Sequence, residues 1–395
     1  MCRESPTHRF PVSGATESEF LLIFLWQTLL VIEKRLMSST SRAQLTSTSS
    51  LSLAQQYRQF AWRRVVIITL LGAALLLAIF ADIMTGPAHL PLSDLLAELV
   101  HPGAHGAINE AIVWQIRLPT AIMAALVGAA LGLAGAEMQT VLNNALASPF
   151  TLGVGAAATL GASLVIILDV TLPGLPPSYT IALMAFVFAA LSILAIDAVA
   201  SLYGASREVI VLFGIALVFV LNAINALVQF IASPDALQQL VFWTMGSLSG
   251  ASWERVAIIA SVLVVCLPFA MRRAWAMTAL RAGEDHARSF GVPVTRLRRT
   301  ALLRVSLLAA VAVAFVGTIG FIGLVGPHMA RLALGEDHRF YLPGSALAGA
   351  LVLSLAATAS ESLIPGLVLP VGIVTSLIGI PCFLALLLGQ RRGQG

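Results

Sequence analysis

Apolar runs about as long as a bilayer is thick recur from Val65 to Leu388, and they constrain this chain more than any other feature. No single soluble core could bury so many of them. Of the 395 residues 58% are apolar and 11% are charged, where a soluble domain carries about 25% charged residues. The expected fold class is therefore an all-α polytopic membrane protein. A β-barrel is excluded, because barrel strands alternate apolar and polar residues. The runs fall at roughly 63–81, 118–138, 151–168, 179–202, 209–231, 254–271, 301–320, 321–334, 341–360 and 369–388, which predicts about ten transmembrane helices.

Basic residues orient these spans. With the N-terminus inside, Arg58, Arg63, Arg64, Arg207, the arginines from Arg272 to Arg299, Arg304, Arg331, Arg339, Arg391 and Arg392 all fall on the inner side. Only Arg117 and Arg255 fall outside, so the positive-inside bias places both termini in the cytoplasm. The net charge of +4 thus reflects topology and membrane lipid as a partner, not nucleic acid. Residues 1–56 read as an N-terminal extension, interfacial or disordered. Their apolar stretch Phe20–Ile32 is too short to span, and Ser38 to Ser52 has linker composition. Residues 57–392 form the membrane domain.

The chain does not bind ATP through a lysine-bearing phosphate loop. Its one lysine, Lys34, lies in no phosphate-binding loop, so ATP-driven transport would need a partner ATPase and a docking surface for it. The polar segment 272–299 is the candidate surface. Within it Ala276 to Ser289 reads as a short helix, with Gly291 and Pro293 as its cap and stop. A plain basic loop that only sets topology is the competing reading. No Ser/His or paired-acid constellation points to an enzyme, and the cysteines and the His101/His105 pair do not make a convincing metal site.

Polar residues inside the spans narrow the search. Asn222, Asn225 and Gln229 lie at i, i+3 and i+7, one stripe on an apolar helix, and are expected either to wall a translocation pathway or to hydrogen-bond between helices. Glu137 and Asp197 are either snorkelling residues or proton carriers. Ala124, Gly128 and Gly132 lie four apart, the spacing that lets helices pack closely. The glycines from Gly317 to Gly326 with Pro327 are expected to form a turn between tightly packed spans, a broken re-entrant element being the alternative.

Ordered blocks then carry a resemblance to a known family. Arg117-Leu118-Pro119, Gly128-Ala129, Gly135, Gln139, Asn144 and Pro149 to Gly153 come first. Trp243 to Leu248, Ala287 with Phe290-Gly291-Val292, Gly320 to Leu324, Pro327 to Arg331, Asp337-His338-Arg339 and Pro370-Val371-Gly372 follow. Together they resemble FecCD-type permease subunits of ABC importers for iron(III)-siderophores, haem or vitamin B12. The resemblance implies a subunit of a bacterial inner-membrane importer and no enzyme. Its partners would be a second permease, identical or homologous, two ATP-binding subunits that hold the ATP and magnesium, and a periplasmic substrate-binding protein. This chain would need no cofactor of its own. By the same resemblance Arg281, Gly283, Glu284, Asp285, Ala287, Gly291 and Val292 couple to the ATPase. Asn143, Asn144 and Ser148, with Ala205 and Ser206, would form the inner gate. Arg117 matches a family arginine expected to dock the binding protein, and Arg255 is added as the other outward arginine. An iron(III)-siderophore is the leading cargo, haem or vitamin B12 the alternative, and an ion-gradient secondary transporter the competing class.

Overall fold

The computed structural model describes residues 53–86, 90–103, 106–202, 207–364 and 366–392. Ala205, Ser206, His105 and the extension up to Ser52 lie outside these residues. Residues 53–56, read from sequence as the end of the extension, are the first turn of a helix.

The chain is helical in each of the ten expected spans. In order the helices are α1 (Leu53–Met84), α2 (Leu92–Val100), α3 (Ala107–Glu110), α4 (Leu118–Val141), α5 (Val154–Ile166), α6 (Pro177–Leu202), α7 (Arg207–Phe230) and α8 (Pro234–Thr244). They continue with α9 (Trp253–Met271), α10 (Ala274–Arg281), α11 (Glu284–Ser289), α12 (Val294–Val316), α13 (Ile322–Leu334), α14 (His338–Ser362) and α15 (Val371–Arg392). Among the described residues seven helices are long and apolar enough to cross a membrane, and Val154–Ile166 and Val371–Pro381 are shorter apolar helices. The 13 residues of α5 rise only about 20 Å. A 3₁₀ turn, Phe150–Leu152, precedes them, and such irregular backbone is tolerated at membrane depth where protein covers it.

Helix α4 is the axis of the bundle, buried along nearly its whole length. A helix apolar on every face belongs inside, and its small residues explain how neighbours reach it. A Cβ added at Gly128 would collide with the Gly349 carbonyl of α14, one at Gly132 with the Ser345 carbonyl, and one at Gly135 with the Gly323 carbonyl of α13. Lipid supplies no hydrophobic drive between helices, so this close backbone approach, with its dispersion contacts, substitutes for it.

The segment from Gly317 to Phe321 is a tight turn. Gly317 has φ +72° and Phe321 φ +67°. The turn is tied to the end of α8, with Thr318 Oγ1 donating to the Thr244 carbonyl at 2.6 Å and Ser247 N donating to the Val316 carbonyl at 2.9 Å.

Two local expectations need correction. The stretch Ala276–Ser289 is two helices, because Gly283 at φ +129° breaks the run between α10 and α11. Helices α2 and α8 were missed, although Ser233 followed by Pro234 is a legible start: the Ser233 hydroxyl accepts from Ala236 N and Pro234 occupies the first turn.

Candidate functional site

Side chains from α10, α12 and α13, with Tyr341 of α14, converge on the C-terminal turns of α4 and the loop that follows. A helix C-terminus carries partial negative charge and unpaired carbonyls, so cations gather there favourably. Arg304 of α12 grips the fully buried Glu137 carboxylate, its Nε donating at 2.9 and 3.1 Å to the two oxygens. Arg331 of α13 donates to Gln139 Oε1 at 3.0 Å and to the Tyr341 hydroxyl at 3.1 Å. Arg298, also on α12 and buried, donates to the Val141 carbonyl at 3.3 Å and to Glu284 at 3.2 Å. From the end of α10, Arg281 reaches Asn143 Oδ1 at 2.7 Å and Glu336 at 3.0 Å.

Segment 272–299 is therefore fastened to both neighbouring loops. Its shape follows from its sequence. Helix α11 ends in a Schellman motif, with Val292 N donating to the Ala287 carbonyl at 3.0 Å, Gly291 N to the Arg288 carbonyl at 2.9 Å, and Gly291 at φ +75°. Ala287 and Val292 are buried and anchor α11, whereas Asp285 is exposed. Burial tends to raise the Glu284 carboxyl, but hydrogen bonds and charge from Arg298 and Arg288 outweigh it and hold the group below its ordinary value. Asp337 behaves alike: burial opposes ionisation, and Arg339 and Arg64 overcome it. A cavity of about 380 Å³ opens between α10 and the loop before α14, lined by Trp275, Thr278, Arg281, Glu336, Asp337 and Arg339.

The loop after α4 is preformed. Asn143 takes φ +46°, and Asn144 Oδ1 accepts from Leu146 N at 2.9 Å, an Asx turn. Ser148 is buried and exchanges hydrogen bonds with Thr151, with Ser148 N donating to the Thr151 hydroxyl at 3.1 Å. Asn143 and Asn144 are exposed, so Ser148 differs from them in being a cap for the following turn.

The polar stripe on α7 is divided. Asn225 is buried against α5 and its Nδ2 donates to the Ala156 carbonyl at 2.9 Å, while Asn222 is exposed and Gln229 half-buried. Glu137 and Asp197 are both ion-paired to α12, through Arg304 and through Arg299 at 3.0 Å. Arg117 is not a surface arginine. Only 7% exposed, it caps the end of α1 by donating to the Ile83 carbonyl at 2.9 Å and the Met84 carbonyl at 3.3 Å. Docking the binding protein through Arg117, as the family resemblance implies, would have to compete with those bonds. Arg255 is half-buried, donates to the Gly250 carbonyl at 2.7 Å and stacks on Tyr179.

The sequence pattern of the FecCD transport family matches residues 74–389. The hemin transport system permease protein HmuU of Yersinia pestis is 37% identical over 287 residues, 72% of this chain and 86% of its own length. The vitamin B12 import system permease protein BtuC of Citrobacter koseri is 33% identical over 338 residues, 86% of this chain and 97% of its own. Among solved structures, an inward-facing transporter assigned to the metal-chelate ABC type superposes with a TM-score of 0.72 at 26% identity, covering 82% of this chain and 99% of its own.

Proposed function

This chain belongs to the FecCD transport family, and from that membership we propose that it is the permease that carries an iron(III)-siderophore or related iron chelate into the cell. At the coarser level it is a membrane-spanning ABC importer permease for metal chelates, haem or vitamin B12, and hydrolyses no ATP itself. An ATPase and a binding protein are its working partners. We assign two ATP-binding subunits holding ATP and magnesium, and a second permease, identical or homologous, to the assembly.

The carrying observation is the double attachment of segment 272–299 through Arg281. A short helical element bonded to Asn143 on one side and Glu336 on the other is suited to take up a movement and pass it on. It sits at the arginine-rich end of the bundle, which supports a cytoplasmic position for it and for both termini. Exposed Asp285 and the Gly283 and Gly291 bends present α11 to the ATPase, and Asn143 and Asn144 serve as the inner gate. Asn222 and Gln229, seven residues apart on one face of α7, line the pathway. Neutral amides suit a cargo whose metal is already wrapped, since they offer hydrogen bonds without charge. The metal-chelate neighbour favours an iron chelate, and the similarity to HmuU favours haem as the second reading.

Cysteine chemistry tests the attachment. Asp285→Cys in the assembled transporter is expected to cross-link to the ATPase subunit and to resist impermeant reagents applied from outside intact cells. Labelling from outside, or cross-linking only to the binding protein, would reverse the orientation.

A further inference from the structure

Within the described residues one imidazole joins the candidate ATPase-docking segment to the gate-bearing helix. His338, the first residue of α14, is 1% exposed, and its two ring nitrogens face different elements. Nε2 lies 2.7 Å from the Thr140 hydroxyl in the last turn of α4, and Nδ1 lies 3.1 Å from the Thr278 hydroxyl in α10. The backbone N of His338 also donates to Thr278 Oγ1 at 3.1 Å. Tyr341 packs edge-on against the ring at 5.2 Å between centroids and fixes its plane.

Proton arithmetic makes these contacts one unit. Each threonine hydroxyl also lies within donating distance of its own helix, Thr140 at 2.8 Å from the Ala136 carbonyl and Thr278 at 2.9 Å from the Ala274 carbonyl. The two ring contacts and two carbonyl contacts take four protons, whereas two hydroxyls and a neutral ring supply three. A hydroxyl that turns toward the ring gives up its own carbonyl, and the choice on one side sets the choice on the other. Thr140 and Thr278 are thus coupled through the ring, although they belong to helices far apart in sequence.

We infer that His338 is a positioning residue for transport, the latch through which a displacement of α10 reaches the end of α4 and the loop at Asn143. This rests on the proposed docking role of segment 272–299. Of the other ties from segment 272–299, Arg281 to Asn143 lies at the surface, where such contacts are individually weak and mobile, and Arg298 to the Val141 carbonyl belongs to α12 and not to α10. The His338 contacts are better shielded, buried on the Thr140 side and part-buried on the Thr278 side, so water competes with them less.

Hydrogen exchange on the assembled transporter, apo and trapped with ATP and vanadate, tests the latch without needing to know the cargo. In the wild type, peptides covering 284–291 and 142–148 are both expected to change exchange rate by roughly threefold or more on trapping. In His338→Phe, which keeps the ring volume and removes both ring contacts, only 284–291 should respond. Thr140→Val and Thr278→Val retain the imidazole and each cut one contact, so they should show the same split response even if His338→Phe assembles poorly. A loop response of wild-type size in these variants overturns the latch, whatever their thermal stability. If 284–291 responds in the wild type and 142–148 does not, the latch alone fails. An unresponsive 284–291 in the wild type overturns the docking role and the latch together.

Discussion

Breaking the Glu137–Arg304 pair from one side is expected to destabilise this protein far more than removing it from both. The Glu137 side chain is fully buried and that of Arg304 is 12% exposed. The guanidinium contacts both carboxylate oxygens. Such a pair repays little of its desolvation as net stability, but a lone partner keeps the desolvation cost with nothing to offset it. Arg304→Met should therefore cost about 3–5 kcal/mol. The double variant Glu137→Leu/Arg304→Met removes both charges and should lie within about 1–2 kcal/mol of wild type. Thermal unfolding in one detergent, with the four proteins as a double-mutant cycle, reads the difference. If the two single losses add in the double variant, the charges are not coupled and Arg304 does not pin α12 to α4. Transport retained in a well-folded double variant would also exclude Glu137 as an obligatory proton carrier.

Three other perturbations address packing, the α11 cap and electrostatics. Gly132→Leu should abolish the α4–α14 approach at the Ser345 carbonyl, costing about 3 kcal/mol or more, and the protein should lose its monodisperse peak in size-exclusion chromatography. Gly291→Pro removes the hydrogen bond to Arg288 and forbids φ +75°, so ATP hydrolysis by the assembled transporter should continue while uptake per ATP falls. Glu284 titrates below its ordinary value of 4.5 in the folded protein, so its stabilising contribution is present above that value and lost as pH falls through the folded pKa. The stability gap between wild type and Glu284→Gln should accordingly be full at neutral pH and shrink as pH falls below the ordinary value of 4.5, as read by thermal unfolding across pH.

Features set by short-range pattern were legible in the sequence, and features set by distant contacts were not. Run length alone located the spans, because a helix must match the hydrocarbon thickness wherever its neighbours sit. Gly291 as a helix cap and the small-residue spacing of Gly128 and Gly132 were equally local. The break at Gly283 was less so, since a glycine inside a helical pattern is often tolerated. Arg117 looked outward by topology, yet its burial depends on the end of α1, some 34 residues earlier. Asn225 finds a carbonyl 69 residues away, and His338 sits 198 residues from Thr140 and 60 from Thr278. No spacing in one sequence encodes such pairs, so the stripe could be drawn on α7 without showing which of its amides was already engaged.

Uptake by purified components tests the account's central claim most directly. Proteoliposomes holding this permease, its ATPase and its binding protein would be loaded with ATP and offered a radioiron-labelled siderophore complex. Hemin and cobalamin would be present as competitors in parallel samples. The account predicts accumulation that requires the ATPase and ATP together, survives collapse of the proton gradient, and resists competition by either alternative cargo. Accumulation by the permease alone on a proton gradient would contradict it, as would ATP-driven uptake of hemin or cobalamin with none of the ferric siderophore.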